Sequence, residues 1–348
     1  MIGPRHGRRT WLIVTTLAVL LAVTLLGRET IPSYVWSIGL DRAVRALDRV
    51  SVDPALLATG GDAVTRFLVV GDDSRAGDRH DADIQGVRGD SVAIWTIGSQ
   101  GTTILALPRD LRVEVAAHGP QKLSGVADYG ANAEIRAVAA LTALPINHYV
   151  DLRFDGFRAL VDAVGGLDLM LPESIRDAET GLNLHAGRQR LDGSESLRYV
   201  RSRQAQVLVN GHWEPADPGD LGRIVRQQQL LGAVVISLRQ HSKPWLVRHS
   251  ARLLRTTGVS VDQRFTSTTL SSLLEFLAEP RQSTFCTLPT RWQVPDGWAS
   301  SPFSPGRGGS TNLRVAGPAS AAMLRWIGSA QPAGQLPSGC SLASAMPR

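Results

Sequence analysis

The stretch "SLRYVRSRQAQ", Ser196–Gln206, decides how the middle of this chain is read. Its alternation predicts a short β-strand that places Tyr199, Arg201 and Arg203 on one side, with Arg198 close by. Guanidinium groups held side by side repel one another. Such a strand therefore calls for an anion in front of Arg201 and Arg203.

Working outward, apolar runs of strand length alternate with amphipathic helical segments. "RFLVVGDDSR" (66–75), "DSVAIWTIGS" (90–99) and "TTILALPRDLRVEV" (102–115) read as β-strands. "NAEIRAVAALTAL" is helical, "NHYVDLRF" extended, "DGFRALVDAVGG" a helix with a glycine stop, and "LDLMLP" a further strand. A long helix is expected over Asp220–Gln240, its buried stripe formed by Leu221, Ile224, Val225, Leu231, Val234, Val235 and Leu238. The pattern predicts an α/β fold: an α-β-α sandwich around a central mixed β-sheet, preceded by one N-terminal transmembrane helix.

Arg5, Arg8 and Arg9 precede Trp11–Gly27, a run without charge that is just long enough to span a bilayer. The arginines place the N-terminus in the cytoplasm and the rest outside. The expected organisation is a cytoplasmic tail (1–9), a membrane anchor (10–27), a stalk and linker (28–63), a folded catalytic unit (64–280) and a loop-rich C-terminal extension (281–348). Trp36, Leu40, Val44 and Leu47 give the stalk a helical spacing. Two cysteines, Cys286 and Cys340, are too few for a zinc site and are expected to pair in an oxidising compartment.

The net charge is +6, carried almost wholly by arginine, since only Lys122 and Lys243 are lysines. An anionic partner follows, but a domain outside the membrane is no candidate for nucleic acid. There is no H-E-x-x-H, no phosphate-binding G-x-x-x-x-G-K-[ST] loop and no G-x-S-x-G elbow. What remains is a series of arginines and aspartates at predicted strand and helix ends: Asp73 and Arg75, Arg88 and Asp90, Arg109, Lys122, Arg198, Arg201 and Arg203. Asp220, Arg223, Arg226 and Gln227 follow on the long helix. Converging guanidiniums suit phosphate, and carboxylates beside them suit a divalent cation bridging to it. A pyrophosphate with Mg²⁺ satisfies both.

The ordered set "GDDSR", "RGDS", "PRD", "KL", "VDLRFDGFRALVDAVGGLDL", "LHAGRQRLDGSESLRYVRSR" and "DLGRIVRQQQ" resembles the LytR-CpsA-Psr family over about residues 66–240. The resemblance implies a cell-wall glycopolymer ligase at the outer face of the membrane. Such an enzyme takes a glycan from a polyprenyl-pyrophosphate carrier and attaches it to peptidoglycan. It further implies Mg²⁺ as cofactor, with Asp73 and Asp90 at the metal and Asp73, Asp90 and Arg109 as catalytic residues. Arg109, Lys122, Arg201, Arg203, Arg223 and Gln227 fall on the family's phosphate-contacting positions, with Arg75, Arg88, Arg198 and Arg226 as neighbours. Asp220 falls on an aspartate that orients the arginines. Residues 204–219 are longer than the usual connection and are read as a lid or a lengthened loop. Two other readings stay open: a polyprenyl-pyrophosphate pyrophosphatase with water as acceptor, and a non-catalytic envelope scaffold or regulator that binds polyprenyl phosphates.

Overall fold

The computed structural model describes residues 37–59, 64–72, 89–98, 101–216, 220–241, 245, 249, 258–278, 283–292, 313–329 and 336–342. The expected cytoplasmic tail and membrane anchor lie outside them. Among the described residues no helix is long and apolar enough to cross a membrane.

A central mixed sheet organises the fold. Its order is β1 (Asp48–Val50), β14 (Val259–Asp262), β7 (His148–Arg153), β2 (Val64–Asp72), β3 (Gly89–Gly98), β4 (Gly101–Leu107), β15 (Ser283–Thr287) and β18 (Cys340–Leu342). β2 runs parallel to β7 and antiparallel to β3, and β4 runs parallel to β15. The run "RFLVV" is apolar at successive positions because β2 is central and is covered on both faces. On one face Leu68, Val70, Ile94 and Leu105 pack with Ile135 and Val138 of α2 (Ala131–Thr142) and with Met323 and Ile327 of α7 (Gly317–Gly328). On the other, Phe67 packs with Leu40, Ala43 and Val44 of α1 (37–45), with Val261 and Phe265, and with Leu270 of α6 (Ser267–Ala278).

A second core lies beside the sheet. It joins α3 (Phe154–Ala163), α4 (Gly193–Arg201) and α5 (Asp220–Gln240) to the pair β8 (Leu167–Leu171) and β11 (Gly187–Leu191). A small sheet ordered β10 (Leu182–Leu184), β9 (Ile175–Asp177), β12 (Gln206–Val209), β13 (His212–Pro215) completes it. Two further antiparallel pairs are present: β5 (Arg112–Val115) with β6 (Gly119–Lys122), joined as a hairpin, and β16 (Thr290–Trp292) with β17 (Leu313–Val315).

Several expectations change. Ser196–Arg203 is not a strand: Ser196–Arg201 forms the last two turns of α4. Asp192 caps the helix by accepting from Glu195 N, while the Glu195 side chain accepts from Asp192 N. That reciprocal cap satisfies two orphan donors and starts a helix where period-2 reading sees a strand. The supposed stalk is in part core, since Leu40, Ala43 and Val44 bury one face of α1 and β1 pairs with β14. The region after 281 is not merely loops: β15 and β18 complete the edge of the central sheet, and Cys286 and Cys340, partners across that ladder, form a disulfide. The Gly-, Pro- and Ser-rich connections obscure the short apolar runs "TFCTL" and "AAMLRWI". Residues 204–219 hold a β-hairpin added to β9 rather than a loop, turning at Asn210 and Gly211, both at positive φ. That geometry is what Asn-Gly favours. In α5, Val225 is exposed, while Arg223, Arg226 and Gln228 are buried with Ile224, Leu230, Val234 and Leu238. Leu231 is half-buried, and the side chains of Leu221 and Val235 are not described.

The join between β14 and β7 contains a fully buried carboxylate. Asp262 accepts from His148 Nδ1 at 3.1 Å, Tyr149 N at 2.9 Å and Arg264 N at 2.7 Å. Burial alone would raise its pKa, but the hydrogen bonds and the nearby His148 outweigh it and hold the value below normal. A depressed pKa contributes stability above the unfolded value near 3.9, and that stability is lost as pH falls through the folded value. Asp262→Asn is therefore expected to lower unfolding stability by about 2 kcal/mol at pH 7, with the difference shrinking in acid. Urea titrations at several pH values check this; a gap that does not change with pH contradicts it.

Candidate functional site

Asp90 on β3 and Arg109 just after β4 lie toward one end of the central sheet. β2 ends at Asp72, and Asp72 pairs with Gly89 across an irregular register. Val92 pairs with Leu107, so Asp90 precedes the part of β3 that pairs with β4, just where Arg109 follows β4. Asp73, Arg75 and Arg88 lie outside the described residues; Asp90 lies on β3, but its side chain is not among those described. Past β4, Asp110 binds two cations: Lys122 Nζ donates to its Oδ1 at 3.0 Å, and Arg109 Nε lies 3.8 Å from its Oδ2. The β5–β6 hairpin makes this cluster by returning the chain so that Lys122 pairs with Arg112.

Beside this end opens an apolar pocket of about 780 Å³, mouth included. Its floor is the sheet. Ala93 and Ala106 face each other across β3 and β4, flanked by Val69, Gly71 and Ser91, while Trp95 and Ile104 bound the deeper part. The hollow exists because small side chains occupy adjacent strands on one face. Its roof comes from Phe157 of α3, Val200 of α4, and Ile224, Gln227, Leu230 and Leu231 of α5. Gln228 ties α5 to β15, donating to Cys286 O and Thr287 Oγ1, each at 3.1 Å.

The arginine-rich stretch borders this roof. Val200 lines the pocket, Arg201 follows it, and Arg223 and Gln227 lie one turn apart on α5. Arg198 and Arg201 occupy the last turn of α4, where the carbonyl end of a helix favours cations. This supplies a local reason for their crowding that the strand reading lacked. Arg198 and Arg203 are exposed, Arg201 half-buried, and Arg223 only 2% exposed.

Arg226 holds structure here: its Nη2 donates to Ser202 O at 2.6 Å. Tyr199 donates to Gln229 Oε1 at 2.7 Å, and burial pushes its pKa up to about 12 against the opposing pull of Arg226. Asp220 opens α5, its side chain not described. α4 can approach α3 because residue 193 is glycine. A Cβ there would stand 2.3 Å from Arg158 O.

The structure thus sets Gln227 on the pocket wall, with Arg201 following the lining residue Val200 and Arg223 preceding the lining residue Ile224, and brings Arg109 with Lys122 to one carboxylate. The sequence reading missed the pocket itself and the anchoring side chains Tyr199, Gln228 and Asp177. The small residues at 71, 91, 93 and 106, in otherwise bulky strands, were the available signal for the pocket.

A probable cell wall biosynthesis protein, LcpB, of Corynebacterium glutamicum is 33% identical over 200 residues, covering 54% of this chain and 45% of that protein. A Halalkalibacterium halodurans protein named polyisoprenyl-teichoic acid–peptidoglycan teichoic acid transferase TagU is 31% identical, covering 56% and 59%. The chain thus spans about half the length of these curated relatives. The fold matches that of a LytR-Csp2A-Psr enzyme from Actinomyces oris, with a TM-score of 0.62 over 85% of this chain and 98% of that one at 24% identity. The LytR_cpsA_psr family model matches residues 44–283, from α1 through every strand that walls the pocket to the start of β15, and the chain belongs to that family.

Proposed function

We propose that this protein transfers a glycopolymer from a polyprenyl-pyrophosphate carrier to peptidoglycan, acting as a membrane-anchored phosphotransferase on the outer face of the cell membrane. The observation that carries the reading is the apolar hollow roofed by α4 and α5, with Gln227 on its wall and Arg201 and Arg223 next in chain to its lining residues Val200 and Ile224. An isoprenoid chain needs an apolar enclosure, and its pyrophosphate needs guanidinium donors at the point where that enclosure opens. The transferase name carried by the TagU relative supports the same donor and acceptor classes.

In this reading a sugar hydroxyl of peptidoglycan attacks the sugar-proximal phosphorus. A new O–P bond forms, the bridging P–O bond breaks, and polyprenyl phosphate leaves. Arg201 and Arg223 stabilise charge developing on the leaving phosphate. The hydroxyl proton passes to a carboxylate, for which Asp73 and Asp90 are the candidates.

Mg²⁺ belongs to the proposal on the strength of the sequence resemblance. Among the described residues no three His, Cys, Asp or Glu side chains group to hold a metal, and Asp110 is engaged by Lys122 and Arg109. By that resemblance a cation would rest on Asp73 and Asp90, where it would offset phosphate charge. The anchor and the outward orientation rest on Arg5, Arg8, Arg9 and the apolar run after them.

The test is transfer of a labelled glycan from a polyprenyl-pyrophosphate donor to peptidoglycan. Arg201→Ala removes one charge-assisted contact and is expected to weaken donor binding roughly ten- to a hundredfold while the protein stays folded. Asp90→Ala is expected to suppress transfer and leave the lipid bound. Phosphate release without any need for peptidoglycan would point instead to a pyrophosphatase, and tight lipid retention without turnover to a scaffold.

A further inference from the structure

The turn that carries Arg203 and follows Arg201 is held from beneath by a buried carboxylate outside the resembling motifs. Asp177 ends β9 and is 1% exposed. Its Oδ2 accepts from Ser202 Oγ at 2.6 Å and from the backbone N–H groups of Arg203 and Gln204, each at 3.1 Å. Its Oδ1 accepts from Glu179 N at 2.9 Å and Thr180 N at 3.4 Å. One carboxylate thus joins the β9–β10 turn to the α4–β12 turn. The Ser202 carbonyl is gripped from the other side by Arg226.

We infer that Asp177 is a positioning residue for pyrophosphate recognition, fixing the backbone of residues 202–204 so that Arg201 and Arg203 are presented to the donor in one preset geometry. The inference rests on the proposed donor site. Burial of a carboxylate is costly unless several donors face it, and here donors from both turns do so. Burial would raise the pKa, yet Ser202 and the backbone N–H groups of Gln204, Glu179 and Thr180 outweigh it and lower the value. The group therefore stays an all-acceptor anion at neutral pH. A turn held by hydrogen bonds to three successive residues loses little conformational freedom when the ligand arrives. This is how preorganisation raises affinity without adding a contact.

Asparagine in this place must set its NH₂ group against donors on one side or the other, at Ser202, Arg203 and Gln204 or at Glu179 and Thr180, and so breaks part of the link between the two turns at nearly constant volume. The experiment compares binding of a short-chain polyprenyl pyrophosphate with that of the corresponding polyprenyl alcohol, in wild type, Asp177→Asn, Ser202→Ala and Arg201→Ala, alongside thermal melts. Asp177→Asn is expected to weaken pyrophosphate binding about tenfold and to leave alcohol binding unchanged. Ser202→Ala should lose about threefold with the same selectivity, since two of the three Oδ2 bonds survive.

A merely structural role would lower the melting temperature and weaken both ligands alike, or neither, and that result overturns the inference. Should Asp177→Asn fail to fold, Ser202→Ala decides: selective loss supports the positioning role, and wild-type pyrophosphate affinity refutes it. Failure of the donor site itself looks different. There the wild type would bind the pyrophosphate no better than the alcohol, and Arg201→Ala would change nothing.

Discussion

Filling the pocket floor with Ala93→Leu and Ala106→Leu together is expected to reduce retention of a polyprenyl-pyrophosphate donor by about a hundredfold or more, without unfolding the protein. The two alanines are direct partners across β3 and β4 and line the same hollow. Each added isobutyl group projects into space the structure leaves open, so the new methylenes displace ligand rather than crowd a close-packed core. Excluding about four ligand methylenes at about 0.8 kcal/mol each removes roughly 3 kcal/mol of apolar contact, or about two orders of magnitude in affinity. Because the substitutions fill a void, unfolding stability should hold or rise. The decisive comparison is lipid copurifying with the variant and with wild type, together with transfer rates at saturating donor. A folded double variant that retains donor and turns over normally would show that the hollow is not the lipid site.

Those two alanines also show how much of the site was legible beforehand. The central strands announced themselves through runs such as "RFLVV", whose covering on both faces is a sequence-level property. The arginine positions came from the family resemblance, and of them the structure sets Arg201 and Arg223 next to pocket-lining residues, with Gln227 on the wall itself. The hollow was not legible, because it depends on which residues pair across strands. Nothing local makes position 93 the partner of position 106.

The misread element has a different cause. In Ser196–Arg203 the apolar positions are too few to separate a period of 2 from one of 3.6, so the cap decides. Asp192 and Glu195 lie just upstream of the stretch that was read, and their reciprocal bonds make α4 a helix. With the helix comes a new role for the charge. Arg198 and Arg201 lie in the last turn of α4, where the helix end favours cations, and buried Arg226 completes that end through Ser202 O. A guanidinium on α5 with 6% exposure is invisible to any amphipathic template, which assigns such a position to solvent. Asn210-Gly211 was a hairpin signal in plain view, flanked by "QVLV" and "HWEP". Excess length over a familiar connection was weighed there instead of turn chemistry.

Removing the disulfide should have the largest effect on stability. Cys286 is fully buried on β15, Cys340 pairs with it on the edge strand β18, and 54 positions separate them in sequence. Among the described residues three consecutive pairs join β18 to the sheet, with Thr287 N donating to Gly339 O just before them, so the covalent link reinforces a short ladder at an edge strand. In the chain-entropy model, closing a loop of this length destabilises the unfolded state by about 4 kcal/mol. Cys286→Ala with Cys340→Ala is therefore expected to lose about that much in a urea titration, with a steeper dependence on denaturant because the uncrosslinked chain exposes more surface when unfolded. Adding reductant should leave the variant's midpoint in place and move only that of the wild type.

The consequence reaches the site through Gln228, which donates to Cys286 O and Thr287 Oγ1 and so ties α5 to the stapled strand. Loosening β15 should then weaken donor binding before the protein unfolds globally, read as a loss of lipid affinity at denaturant concentrations where the sheet is still intact. A variant whose unfolding free energy stays within about 0.5 kcal/mol of wild type would show that the ladder alone holds the edge.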